Sequence, residues 1–155
     1  MKTLVLGLGN TVLSDDGVGI YVTRELKASL NKREDIAVEE ASLGGLGVLD
    51  IITGYDKVIV IDAIRTRDGK AGTIYRLNSD SLNITQHTAS THNVNFAAAL
   101  ELGRKLELEL PDDIVIYAIE AADVNTFNEE CTPEVKLAIP QCIEQVIREI
   151  NDAIT

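Results

Sequence analysis

The chain has 155 residues, a length that suits one domain, 1–155, with room for a full hydrophobic core. Its formal net charge of −11 argues against nucleic acid or an anionic membrane as partner, and the absence of tryptophan argues against a base-stacking surface. No apolar run approaches the roughly 20 residues of a membrane span. Met1-Lys2-Thr3 leads straight into a strand without a signal-peptide pattern, and Cys131 and Cys142 are far from a C-x-x-C spacing, so a cytoplasmic protein with reduced thiols is expected.

The first strand is the apolar run Thr3-Leu4-Val5-Leu6, left through Gly7-Leu8-Gly9-Asn10, whose small and turn-prone residues allow a sharp exit. Ser14 or Asp15 then serves as N-cap of a helix from about Asp16 to Leu30, with Val18, Tyr21, Val22, Leu26 and Leu30 on its apolar stripe. Ile36 to Glu40 reads as a second strand, Ser42 to Gly47 as a flexible loop, and Val48 to Thr53 as a short helix closed by Gly54. Lys57-Val58-Ile59-Val60-Ile61-Asp62 is the strongest strand. Its unbroken Val/Ile run marks it as central and covered on both faces.

Arg65 to Gly72 is too short for a crossover helix, so the alternating Thr73 to Leu77 reads as an antiparallel edge strand. Leu82 to Thr91 is a polar loop containing His87, and a long helix runs from about His92 to Leu108, capped by Ser90 or Thr91. Ile114 to Ile119 is a further buried strand ending at Glu120. The last helix starts at Thr132-Pro133-Glu134, runs to about Ile150 and is expected to bend at Pro140. The expected fold is a three-layer α/β/α sandwich, with a mostly parallel twisted sheet of about five strands and one antiparallel edge strand.

Gly7-Leu8-Gly9 invites comparison with a dinucleotide fingerprint. The third glycine is missing, Val12 standing in its place, and Asp15 and Asp16 at the helix start would repel a pyrophosphate. A different constellation is more coherent. Asp16 follows the first strand, Asp62 ends the central strand and His92 opens a helix, all at the carboxyl edge of the sheet, where open α/β sheets bind ligands. Two carboxylates and an imidazole are a ligand set for a divalent first-row metal, and the positive end of the helix dipole keeps a histidine neutral and able to ligate. His87, five positions before His92, lacks the one-turn spacing of a helical metal pair and reads as a loop residue. Glu120, Asp123, Glu129 and Glu130, after the last strand, either line the rim of the same edge or, as expected of a run of acids, are solvated surface. No G-x-S-x-G or H-E-x-x-H is present, so a serine hydrolase or a self-contained zinc peptidase is poorly supported.

With Gly7-Leu8-Gly9-Asn10, Ser14-Asp15-Asp16-Gly17-Val18-Gly19, Val60-Ile61-Asp62-Ala63 and Ser90-Thr91-His92-Asn93 laid out, the sequence resembles the hydrogenase maturation proteases over essentially its whole length. Ala99 to Arg104 and the stretch Thr126-Phe127, Glu130 and Thr132 to Val135 belong to the same likeness. The resemblance implies a cytoplasmic endopeptidase that trims the C-terminus of a NiFe hydrogenase large-subunit precursor once nickel is in place. It implies that Asp16, Asp62 and His92 are the catalytic, nickel-contacting residues, Asp16 standing where many members have Glu. The nickel arrives with the precursor, no tightly bound cofactor of its own is expected, and the chain acts as a monomer. Many relatives have an Asp-Gly-Gly turn after the second strand, where this chain has Glu40-Ala41-Ser42-Leu43-Gly44-Gly45. The alternative from another class is a non-catalytic nickel-binding maturation chaperone using the same ligands.

Overall fold

The computed structural model describes the chain except residues 43–45, 79–90 and 153–155, and describes residues 46, 91–95 and 97 by their backbone. Among the described residues, five strands form one sheet: β1 (Thr3–Leu8), β2 (Ile36–Ala41), β3 (Lys57–Ile64), β4 (Ile74–Asn78) and β5 (Asp113–Glu120). The order is β2-β1-β3-β5-β4, with all neighbours parallel except β4, which runs antiparallel to β5 at the edge. Four helices cover it: α1 (Val18–Leu30), α2 (Leu46–Ile52), α3 (Thr91–Lys105) and α4 (Pro133–Asp152).

Strand alternation sorts the core into two layers. Ile59, Ile61 and Ala63 of β3 face α1 and α4, beside Val5, Val22, Leu26, Val135 and Val146. Val58, Val60 and Ile64 face α2 and α3, beside Leu4, Leu6, Ile52, Phe96 and Leu100. Every residue of β1 and β3 is buried, as the continuous apolar runs require for strands covered on both faces.

The order also locates a switch point. The chain leaves β1 toward β2 on one side and crosses back to β3 on the other, so the switch point, where open α/β sheets have their ligand crevice, falls at the carboxyl ends of β1 and β3. Asp62, by alternation, belongs to the α2/α3 side of that crevice.

Several boundaries differ from the sequence reading. Residues Ser14–Gly17 form a 3-10 turn, and α1 starts only at Val18 with no side-chain cap. Neither Ser14 nor Asp15 caps it, because both side chains point inward to bonds with the 121–132 segment: the Ser14 hydroxyl donates to the Glu130 carbonyl, and the Asp15 carboxylate accepts from Thr132. Helix α3 stops at Lys105 rather than Leu108. Leu108 N–H donates to Gly103 O (3.1 Å) and Glu107 N–H to Arg104 O (3.2 Å), with Glu107 at φ 56°, which is a Schellman closure on a non-glycine residue. The short helix begins at Leu46 rather than Val48, and Gly54, at φ 91°, follows it in the conformation expected of it. Helix α4 runs through Pro140 without a break. The loop containing His87 and the caps proposed at Ser90 and Thr91 lie outside the described residues and side chains.

Candidate functional site

The exit from β1 is shaped by close backbone packing. Gly9 has φ 149°, and a Cβ there would sit 2.1 Å from the Asp16 carbonyl oxygen. Asn10 N–H donates to that same oxygen at 3.2 Å, and Asp16 N–H donates to Leu13 O at 3.1 Å, so the turn closes on itself. Gly19 presses α1 onto the strand ends: a Cβ would lie 2.3 Å from Ile61 O and 2.6 Å from Leu8 O. Gly7 is filled in the same way by Thr23, whose hydroxyl would meet a Cβ at 2.1 Å. The glycines of the Gly7-x-Gly9 pattern therefore serve close helix-strand packing, and the space beside them is occupied by protein atoms.

This packing sets Asp16, three residues before Gly19, over the junction of β1 and β3. Asp62 follows Ile61 on the neighbouring strand, fully buried, with its Oδ1 accepting Ala63 N–H at 2.8 Å. Asp16 is also buried. The backbone of His92 lies in the first turn of α3. The far end of that helix is at the amino edge of the sheet, where Glu109 O accepts Gly54 N–H just before β3 begins. Fifteen residues of helix span about 22 Å, close to the height of the sheet, so the first turn stands at the carboxyl edge. The His92 side chain and all of His87 lie outside the described parts. Among the described residues no three His, Cys, Asp or Glu side chains are arranged to hold a metal.

Asp15, the neighbour of Asp16, does something the sequence reading missed. It is fully buried, and its carboxylate accepts Ala122 N–H (2.9 Å), Asp123 N–H (3.0 Å) and Thr132 N–H (2.7 Å), and the Thr132 hydroxyl as well (2.9 Å). The Asp16 turn is thereby tied to the segment after β5 and to the start of α4.

Glu120 corrects a second expectation. It is buried, not solvated, with its carboxylate accepting Thr66 N–H at 2.8 Å, the Thr66 hydroxyl, and the Tyr75 hydroxyl at 3.0 Å. Its position continues the buried α2/α3 face of β5, and it holds the 65–72 connection at the carboxyl edge. On the other flank of the Asp16 turn, a cleft of about 210 Å³ is lined by Gly9, Asn10, Thr11 and Ile20 and closed by the pair Arg24–Glu40. That pair is bidentate, at 3.0 Å for both bonds, and the guanidinium holds the Glu40 carboxyl below its ordinary range.

Both cysteines are buried and free. Burial pushes the Cys131 thiol up to about 11, with Asp15 adding to it, and the Cys142 thiol up to about 12, so neither is a poised nucleophile.

Against known proteins, a family model described as hydrogenase maturation protease matches residues 20–149. A relative from Methanocaldococcus jannaschii is 30% identical over 155 residues, covering 97% of this chain and 90% of its own. The hydrogenase 2 maturation protease of Escherichia coli is 23% identical over 154 residues, covering 99% and 93%. The solved structure of the hydrogenase maturating endopeptidase HybD from Escherichia coli superposes with a TM-score of 0.85 at 22% identity, covering 99% of this chain and 94% of that one, a likeness that speaks for the fold.

Proposed function

This chain belongs to the hydrogenase maturation protease family, and from that premise we propose that it is the endopeptidase that removes the C-terminal extension of a NiFe hydrogenase large-subunit precursor after nickel insertion. The observation that carries this reading is the placement of Asp16 and Asp62 at the switch-point crevice, with the first turn of α3 at the same edge.

In this reading the nickel is part of the substrate. Seated among thiolates of the precursor, it docks against Asp16, Asp62 and His92, so that metal geometry becomes the recognition element and an unloaded precursor is left uncut. A divalent ion held there fixes the scissile peptide beside the same groups, and either Asp16 or His92 accepts a proton from the attacking water. The burial of both acids supports this, since a low-dielectric crevice strengthens a carboxylate's hold on a cation. The protein works in the cytoplasm as a monomer. Among the described residues no helix is long and apolar enough to cross a membrane.

The test is cleavage of purified nickel-loaded precursor, read by mass spectrometry. Asp16→Asn, Asp62→Asn and His92→Gln are each expected to slow it at least a hundredfold. Normal rates in all three would end the assignment. A precursor of unchanged mass after incubation with wild-type protein would favour a chaperone that only binds nickel.

A further inference from the structure

The chain has two phenylalanines, and they have opposite fates: Phe96 is 2% exposed in the core, while Phe127 is 84% exposed. Phe127 lies beside the Asp16 turn. Asn128 N–H donates to Val12 O at 3.0 Å, and Ser14 N–H donates to Asn128 O at 2.8 Å, so residues 12–14 and 127–128 are zipped into a two-stranded lip. Val12, on the other half of the lip, is 43% exposed.

The lip is held from every side. The Asp123 carboxylate accepts Asn125 N–H and Thr126 N–H, Asn128 Oδ1 accepts Glu130 N–H at 2.9 Å, and the Tyr21 hydroxyl donates to Thr11 O and Glu129 O. Asp15, the next residue after the 12–14 half, bonds the segment of the other half at Asp123 and Thr132. The backbone that carries the Phe127 ring is braced by these bonds, so association has the ring to order but not the loop. Aromatic anchors dominate binding energy at protein interfaces.

We propose that the Val12–Phe127 lip is the docking surface by which this protein grips the folded body of its precursor, next to the segment that enters the crevice. This rests on the reading of the chain as a maturation endopeptidase. Three observations select that occupant. The lip is continuous with the Asp16 turn through Leu13 O and Asp16 N–H (3.1 Å), so a body seated on it lies against that turn. Its flank is acidic: Glu130 is shared with Lys136 and Asp123 has Arg65 nearby, while Glu129 leaves a net negative edge. A second copy of this chain, at net charge −11, would oppose that edge with its own, whereas an apolar socket rimmed by lysine or arginine would complement it.

The test compares wild type, Phe127→Ala, the double variant Val12→Ser/Phe127→Ser, and Leu137→Ser, an exposed apolar residue of α4 taken as control. All three positions concerned are on the surface, and thermal midpoints check that each variant is folded. With nickel-loaded precursor, the double variant is expected to raise KM about thirtyfold, or about 2 kcal/mol, with kcat within about twofold. Phe127→Ala accounts for most of that rise, Phe127→Tyr restores it, and Leu137→Ser changes nothing. An unchanged KM in the double variant overturns the proposal while leaving the endopeptidase reading intact. If wild type binds the precursor without cutting it, the endopeptidase reading fails instead. The lip then stands on the loss of precursor capture by the double variant in an equilibrium binding assay, and falls if capture is equal. Wild-type dimerisation that Phe127→Ser abolishes also overturns it.

Discussion

The Asp15 carboxylate accepts the backbone N–H of Thr132 at 2.7 Å, a bond between residues 117 positions apart. It joins the turn that carries Asp16 to the first residues before α4. Asp15→Ala would take the acceptor from the part-buried N–H groups of Ala122, Asp123 and Thr132 together. The expected loss is about 2–4 kcal/mol of stability, read as a shift in the urea midpoint. Asp15→Asn keeps one acceptor oxygen and is expected to fall between alanine and wild type.

Gly19 and Gly54 make opposite predictions for the same substitution. A Cβ on Gly19 meets two strand carbonyls within 2.6 Å, so Gly19→Ala must push α1 off the ends of β1 and β3. The expected cost is about 2–3 kcal/mol, with loss of cleavage because the Asp16 turn moves with it. Gly54→Ala meets nothing within 4 Å and only strains a backbone at φ 91°, for about 1 kcal/mol and no change in activity.

At the amino edge of the sheet, Glu149 accepts from Lys57 Nζ at 3.0 Å, Arg76 Nε at 2.6 Å and the Tyr117 hydroxyl at 2.9 Å. Burial pushes its carboxyl up, but the bonds from Arg76, Lys57 and Tyr117 outweigh that and bring it from 4.5 to about 2. A carboxyl depressed on folding stabilises the protein above its unfolded pKa and loses that contribution as pH falls through the folded one. Stability should therefore fall by at most about 3 kcal/mol between pH 4.5 and pH 2. Glu149→Gln should flatten that slope in denaturant titrations taken across this window, and an unchanged slope would assign the acid sensitivity elsewhere.

Cys131 and Cys142 should resist a thiol reagent in the folded protein at pH 8, because burial raises both thiols to about 11 and about 12. Both should react at once in denaturant. Stoichiometric labelling of the native protein with retained activity would contradict the buried placement.

The elements were legible because their signals are local. Unbroken Val/Ile runs at 57–62 and 114–119 identify central strands, and the 18-22-26-30 spacing identifies the buried face of α1. The antiparallel edge strand followed from a connection too short for a crossover. Helix ends were less legible: Glu107 closes α3 in a left-handed conformation that composition does not flag, and the residues after β1 wind as a 3-10 turn because Asp15 and Ser14 bond inward.

The amino-acid order by itself determined the three-layer α/β class and set Asp62 in the last residues of β3 and Asp16 in the turn after β1, since hydrophobic period and strand length are written within a few residues of each position. Only the tertiary structure decided which acids turn inward, Asp15 and Glu120 among them, because a buried carboxylate is settled by donors that arrive from distant segments: Thr132 for one, Thr66 and Tyr75 for the other. It also decided the strand order that sets the switch point at β1 and β3, for that order depends on how crossovers pack against both faces of the sheet and leaves no mark on any single strand.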